Sequence, residues 1–252
     1  MESHEYQTLF EHEASYWWYR ALHRVLLTAL EQEGMTHGSR ILDAGCGTAQ
    51  NLVNISQRIT PLAFGADLSP CVIPYWKQRG LRRVCLASVN QLPFRDGSFD
   101  AVLSIDVLEC DEVSQEKAYA ELWRTAKEGS LIILVVPAYN WLLTKEHHRA
   151  VHASRRYTKH RLLALLETQP VVIRRVTYLF ALLFPLIAVY RLGLRLRERR
   201  GSTKPRSELQ PLSPFVNAAL HRAMVLEQQL LKLIDLPFGS SLVAIMRKKS
   251  LL

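Results

Sequence analysis

From about residue 40 to residue 136 the chain alternates between two patterns. Short apolar runs at residues 40–43, 62–67, 84–87, 99–105 and 129–136 have the length of strands, and most end in a polar or acidic residue. Between them, residues 50–58, 70–79 and 114–127 read as helices; in the last, Ala118, Leu122, Trp123 and Ala126 recur at helical spacing. Strand and helix in alternation predict a mostly parallel sheet with right-handed crossovers. Before this block, residues 6–33 read as an amphipathic helix broken near Ser15. After Pro137 the pattern loosens, with a helix expected at 157–166, a strand at 170–178 and a last strand at 241–247.

The segment 41–51, ILDAGCGTAQN, carries the most information. A strand that stops at Gly-x-Gly lets backbone amides approach a ligand closely, because no side chain intervenes. Asp67 follows about 20 residues later, where an acid can accept hydrogen bonds from both hydroxyls of a ribose. The run FDAVLSID again ends in an acid, Asp106. These stations share one edge of the sheet, the edge where ligands bind in such folds. A nicotinamide dehydrogenase needs a third glycine, and Thr48, Ala49 and Gln50 stand there instead. Asp43 would also repel a pyrophosphate, whereas it suits a ligand with a cationic amino-acid end.

The run DAGCGTA resembles the first motif of class I S-adenosylmethionine-dependent methyltransferases, D/E-x-G-x-G-x-G, with Ala49 in place of the last glycine. The resemblance is strong over residues 40–137 and is of the type 11-like, bacterial kind with a C-terminal apolar and basic insertion. It implies an α/β fold: a Rossmann-like seven-stranded, mostly parallel sheet with an antiparallel final strand, plus a helical insertion or cap. The expected division is a cap at 1–38, a core at 39–178, an insertion at 179–239 and the final core strand at 240–252. S-adenosyl-L-methionine is the implied cofactor. Asp43, Ala44 and Gly45 would face its methionine part, with Gly47 in the turn. Asp67 would take the ribose and Leu68 the adenine face. Ser88, followed by Val89 and Asn90, occupies the place of an acid near the adenine amino group, and Ile105 and Asp106 would close the site below the methionine.

The implied reaction is methyl transfer by in-line displacement to a small-molecule or lipid-like acceptor. VPAYNWLL, RRYTKHRL and LPFGSSLVAI look like bacterial methyltransferases found with lipid-linked glycan and polyprenyl metabolism, which favours an isoprenoid or phosphate-bearing acceptor. Natural-product tailoring without membrane contact and a catalytically silent adaptor on the same fold are the alternatives. SIDVLEC replaces the Asn-Pro-Pro-Tyr motif used on base nitrogens, and aromatic–basic interleaving is missing, so nucleic acid is not the expected partner.

Charge divides the chain. Residues 1–144 balance to −5 and residues 145–252 to +14, giving +9 overall, which suggests an anionic partner for the second part. Residues 176–190, VTYLFALLFPLIAVY, hold no charge, but they number 15 and contain Pro185, where a spanning helix needs about 20 residues. Flanked by Arg174, Arg175, Arg191, Arg195 and Arg199, this stretch reads as a surface-inserting or buried helix. The region 176–206 is therefore expected to meet an anionic membrane surface, with a lid or a homodimer contact as the competing readings. The cysteines, Cys46, Cys71, Cys85 and Cys110, have neither metal nor disulfide-scaffold spacing, and the N-terminus lacks a secretory pattern. The expectation is a cytoplasmic protein, peripheral on the inner membrane.

Residues 141–160 gather the candidate acceptor chemistry. His148 and His152 are potential bases at i and i+4, and Tyr157 lies beside them. Arg155 and Arg156 could grip a phosphate or carboxylate. No third ligand accompanies the two histidines, so no metal is expected. Tyr16, Trp18 and Tyr19 would wall the acceptor pocket.

Overall fold

In the computed structural model, which describes residues 1–199 and 212–250, seven strands form one sheet in the order β3-β2-β1-β4-β5-β7-β6. They are β1 (Ile41–Ala44), β2 (Ala63–Asp67), β3 (Val84–Leu86), β4 (Phe99–Ile105), β5 (Ala126–Pro137), β6 (Val171–Leu179) and β7 (Ser241–Lys248). The first five run parallel, and β7 is antiparallel to both β5 and β6. This is the Rossmann-like sheet with its antiparallel strand. β1 is buried throughout and β5 is buried from Ser130 to Val136, as expected of parallel strands covered on both faces.

Nine helices are described: α1 (Ser3–His12), α2 (Trp17–Gln32), α3 (Gln50–Arg58), α4 (Ile73–Gln78), α5 (Gln115–Thr125), α6 (Lys145–Val151), α7 (Lys159–Leu166), α8 (Phe184–Arg199) and α9 (Pro214–Leu230). Side-chain caps set several starts: Ser114 for α5, Thr144 for α6, Thr158 for α7 and Ser213 for α9 each accept a backbone N–H three residues on. The break near Ser15 separates α1 from α2.

Two elements differ from the sequence reading. The helix expected over 114–127 stops at Thr125, because Ala126 already pairs with Phe99 of β4, ahead of a bulge. The charge-free stretch 176–190 is not one helix. Val176 to Leu179 complete β6, pairing with Ala244 to Ser241 of β7, and α8 begins only at Phe184, with Pro185 in its first turn. Strand pairing for the branched Val176 and Thr177 outweighs the apolar run's helical continuity. Of the loop expected at 200–214, residues 200–211 lie outside the described residues. α8 and α9 sit between β6 and β7 in the chain, and α9 packs along α2.

Candidate active site at the strand ends

The turn after β1 is held by backbone and side-chain hydrogen bonds together. Gly45 and Cys46 both donate their N–H to the carbonyl of Ala66, at 2.7 and 3.0 Å, which ties the turn to the end of β2. Gly45, Gly47 and Ala49 all have positive φ, at 86°, 52° and 70°. The missing third glycine therefore matters, since Ala49 holds a left-handed conformation while capping α3. Trp76 Nε1 donates to Gly47 O at 2.8 Å, and α1 lies over the turn, with Leu9 the neighbour a Gly47 side chain would meet.

Two carboxylates flank this turn. Asp67 accepts the N–H of Gly47 at 2.8 Å and of Ser69 at 3.0 Å, one on each oxygen. Burial raises its pKa, and those N–H groups oppose the rise. Asp43 is 1% exposed; one oxygen accepts from Asn51 Nδ2 at 3.3 Å, while Oδ1 is buried without a partner. Burial pushes Asp43 up to about 7, with Asp67 and Glu13 adding repulsion and Asn51 opposing. A buried carboxyl with an unused oxygen beside a second carboxylate is short of a cation or a donor. Leu68, 52% exposed, leaves an apolar surface beside Asp67.

Sequence reasoning missed what fixes the helices over this turn. Glu13, at the end of α1, accepts from Thr48 Oγ1 and pairs with Arg79 at 2.6 Å, while Arg79 also reaches Gln50. These residues lie far apart in the chain, and no local pattern marks them. Glu13 is raised to about 7 by burial, against Thr48 and Arg79.

The other expected cofactor residues divide. Ile105 ends β4, and Asp106 follows at φ 51°. Burial raises the Asp106 carboxyl, and the Arg156 charge opposes this. Ser88 Oγ accepts from Asn90 N at 3.2 Å, Val89 is buried, and Asn90 uses both ends of its amide on Glu112 O and Ser114 N at the start of α5. The Asn90 side chain thus holds the loop rather than facing a ligand.

The residues offered for acceptor chemistry are mostly spent on structure. Tyr157 is fully buried and its hydroxyl, with a single proton to donate, sits 3.1 Å from Leu108 O and 2.9 Å from Gln115 Oε1, which makes it a core residue instead of a base. Arg155 donates to the carbonyls of Cys110 and Val113. Arg156 is buried, 3.4 Å from Ala138 O. His148 pairs with Asp111 at 3.0 Å and His152 with Glu2 at 2.9 Å. His152 does not share a helical face with His148, because it caps α6 at φ 53°. Since Glu2 N also donates to Ala150 O at 3.0 Å, these contacts latch the start of α1 onto α6. Among the described residues no cluster of side chains could hold a metal ion.

The aromatic residues pack against one another in two groups. Trp18 stacks on Phe180 at 5.2 Å, and Tyr19 meets Trp18 edge-on at 4.9 Å. Tyr16 lies 6.1 Å from Trp17. A second group joins Tyr139 to Tyr178, stacked at 5.5 Å, and to Trp141 and Phe184. Tyr139 lies two residues after β5 and Phe180 follows β6 directly, and like Asp106 after β4 they have positive φ. These three positive-φ residues lie beyond the carboxyl ends of β4, β5 and β6, on one edge of the sheet.

Residues 42–134 match the profile of a family described as a methyltransferase domain. This part of the chain is a methyltransferase domain. The domain is 29% identical over 116 residues to 24-methylenesterol C-methyltransferase 2 of Arabidopsis thaliana, covering 43% of this chain and 31% of that protein. It is 35% identical over 108 residues to the tRNA (carboxymethyluridine(34)-5-O)-methyltransferase of the same plant, covering 41% and 25%. The chain thus spans only a quarter to a third of these relatives' lengths. The fold also matches a geranyl diphosphate methyltransferase solved with geranyl diphosphate and sinefungin, with a TM-score of 0.58 at 15% identity, covering 91% of this chain and 78% of that one. The cofactor of this family is S-adenosylmethionine, and the residues fit it: the unpartnered Asp43 oxygen, the fixed Asp67 carboxylate, the turn through Gly45 and Gly47 and the exposed Leu68.

Proposed function

We propose that this protein transfers a methyl group from S-adenosylmethionine to a lipid-like, phosphate-bearing small molecule while resting on an anionic membrane surface. The observation that carries the first half is the pair Asp43 and Asp67 around the glycine turn. Asp67, held by Gly47 and Ser69, would take the ribose hydroxyls; Asp43, with its unused oxygen, would take the cationic end of the methionine part. When bound, S-adenosylmethionine supplies an electrophilic methyl on a sulfonium. The chain's own part is to orient the acceptor and exclude water: α1 covers the turn, and the aromatic groups around Tyr139 and Trp18 offer apolar walls at the same strand ends.

For the acceptor and its location, the support is α8. Leu186, Val189, Leu192 and Leu196 are exposed, while Arg191, Arg195 and Arg197 belong to the same helix. An apolar face in water beside arginines suits the boundary layer of an anionic bilayer. None of the described helices is long and apolar enough to cross a membrane. A cytoplasmic, peripheral location goes with this reading.

Calorimetric titration tests the cofactor. S-adenosylmethionine and S-adenosylhomocysteine should bind and NAD should not, and Asp67→Ala should weaken both by about tenfold or more, roughly 1.4 kcal/mol. Normal binding by that variant would mean that the site lies elsewhere.

A further inference from the structure

A groove of about 870 Å³ runs between α2, α3 and α9 and reaches β6 and β7, with Gln50 at the start of α3 and Leu179 at the end of β6 in its lining. Its floor is apolar, with Leu27 and Val243 both buried. Its walls are cationic. Arg20 and Arg24 project from successive turns of α2, and His221 and Lys232 come from α9 and the turn beyond it.

The carboxylates nearby are taken. Glu31, the one acid lining the groove, is held by Arg58 at 2.6 Å, and Arg175 is held by Asp235 at 2.6 Å and by two carbonyls. No hydrogen bond or ion pair of the Arg20, Arg24 or Lys232 side chain occurs among the described residues. His221 feels the crowding: its pKa is lowered by burial first, and then by the charges of Arg20 and Arg24. Arg20, Arg24 and Lys232 are exposed, so water screens their mutual repulsion, and all three stay available to an anion that enters the groove.

We infer that this groove is a second ligand site, for a phosphate-bearing anion, with Arg20, Arg24 and Lys232 as its anionic-group binders and the Leu27–Val243 floor for an apolar portion. Arginine suits this task, because its planar fork matches phosphate oxygens. The same chemistry is offered by a free oligophosphate and by an anionic lipid head group. The inference stands apart from methyl transfer, since it uses none of the residues around the glycine turn.

The test titrates the full chain with two probes, inorganic pyrophosphate and dihexanoyl-phosphatidylglycerol kept below its micellar concentration. Each is repeated with Arg20→Glu/Arg24→Glu, with the neutral Arg20→Gln/Arg24→Gln and with Lys232→Gln. At least one probe should bind saturably, and the charge-reversed variant should weaken it tenfold or more, with the neutral variants in between. Binding of pyrophosphate alone identifies a free oligophosphate, and binding of the lipid alone identifies a head group. Absence of binding by both, or affinities unmoved by the charge reversal, overturns the site. S-adenosylmethionine titrated into the same samples checks that the variants are folded and keeps the fate of this site separate from that of the methyl-transfer reading.

Discussion

A side chain on Gly45 would place its Cβ 2.2 Å from Cγ2 of Val107, so the turn after β1 and the loop after β4 are packed against each other with no room for a methyl group. The two loops that would hold the methionine part of the cofactor are thus positioned by one contact. Gly45 also sits at φ 86°, where any L side chain is strained. Gly45→Ala should destabilise the protein by about 2–4 kcal/mol in urea denaturation. Val107→Ala in the same chain should recover part of that loss, with a coupling of about 1–2 kcal/mol in the double-mutant cycle. Additive losses would show that the two loops do not meet.

Glu227 holds α9 to the end of β6. It is 3% exposed, and its two oxygens accept the N–H groups of Phe180 and Leu182 at 2.5 and 2.9 Å. Glu227→Ala leaves the buried Phe180 N–H and the part-buried Leu182 N–H unmet, at a cost of about 2–4 kcal/mol, whereas Glu227→Gln keeps one acceptor and should cost about half as much. The midpoint of urea unfolding reads the difference, and equal losses for the two would rule out the paired acceptance.

How much of this was legible beforehand follows from how local each feature is. The glycine turn, Asp67 and the alternation of strand and helix are set by neighbours within a few residues, and a mostly parallel sheet follows from them, whereas its antiparallel strand was expected only from the family resemblance. Ala126 looked helical because its spacing matched Leu122, yet Phe99, distant in the chain, pairs it into β5. Tyr157 looked catalytic because it stands among histidines and arginines; only the fold brings Leu108 and Gln115 to its hydroxyl. Glu13 and Arg79, 66 residues apart, and Glu227 in an apolar helix have partners no sequence window contains.

The exposed face of α8 yields a prediction with a clean control. Leu186, Val189 and Leu196 are 61%, 69% and 59% exposed, so changing all three to Ser removes little from the folded core. Stability should stay within about 0.5 kcal/mol. Co-flotation with phosphatidylglycerol vesicles should fall about tenfold to a hundredfold, because each side chain loses most of its transfer energy. Unchanged flotation would remove α8 from the membrane contact.

Asp43 makes cofactor binding depend on pH. Its carboxyl, at about 7 in the fold against an ordinary 3.8, keeps a proton that the unfolded chain releases. The stability it confers is therefore complete below the ordinary value and is lost as pH rises through about 7. A cationic ligand reverses the preference, because it favours the carboxylate. Binding below about pH 7 must then expel a proton, and affinity for S-adenosylmethionine should climb from about pH 6 to about pH 8, with a slope of at most about tenfold per unit. Calorimetry in two buffers of different ionisation enthalpy measures that proton directly. In Asp43→Asn the released proton should vanish and the pH slope flatten, while the ligand-free protein gains stability at about pH 8 relative to the parent. Glu13 is also raised by burial, but Arg79 and Thr48 occupy it in the ligand-free fold, so it remains in both proteins and cancels in the comparison. A proton release that survives Asp43→Asn would assign the titration to another group and leave Asp43 with a purely structural part.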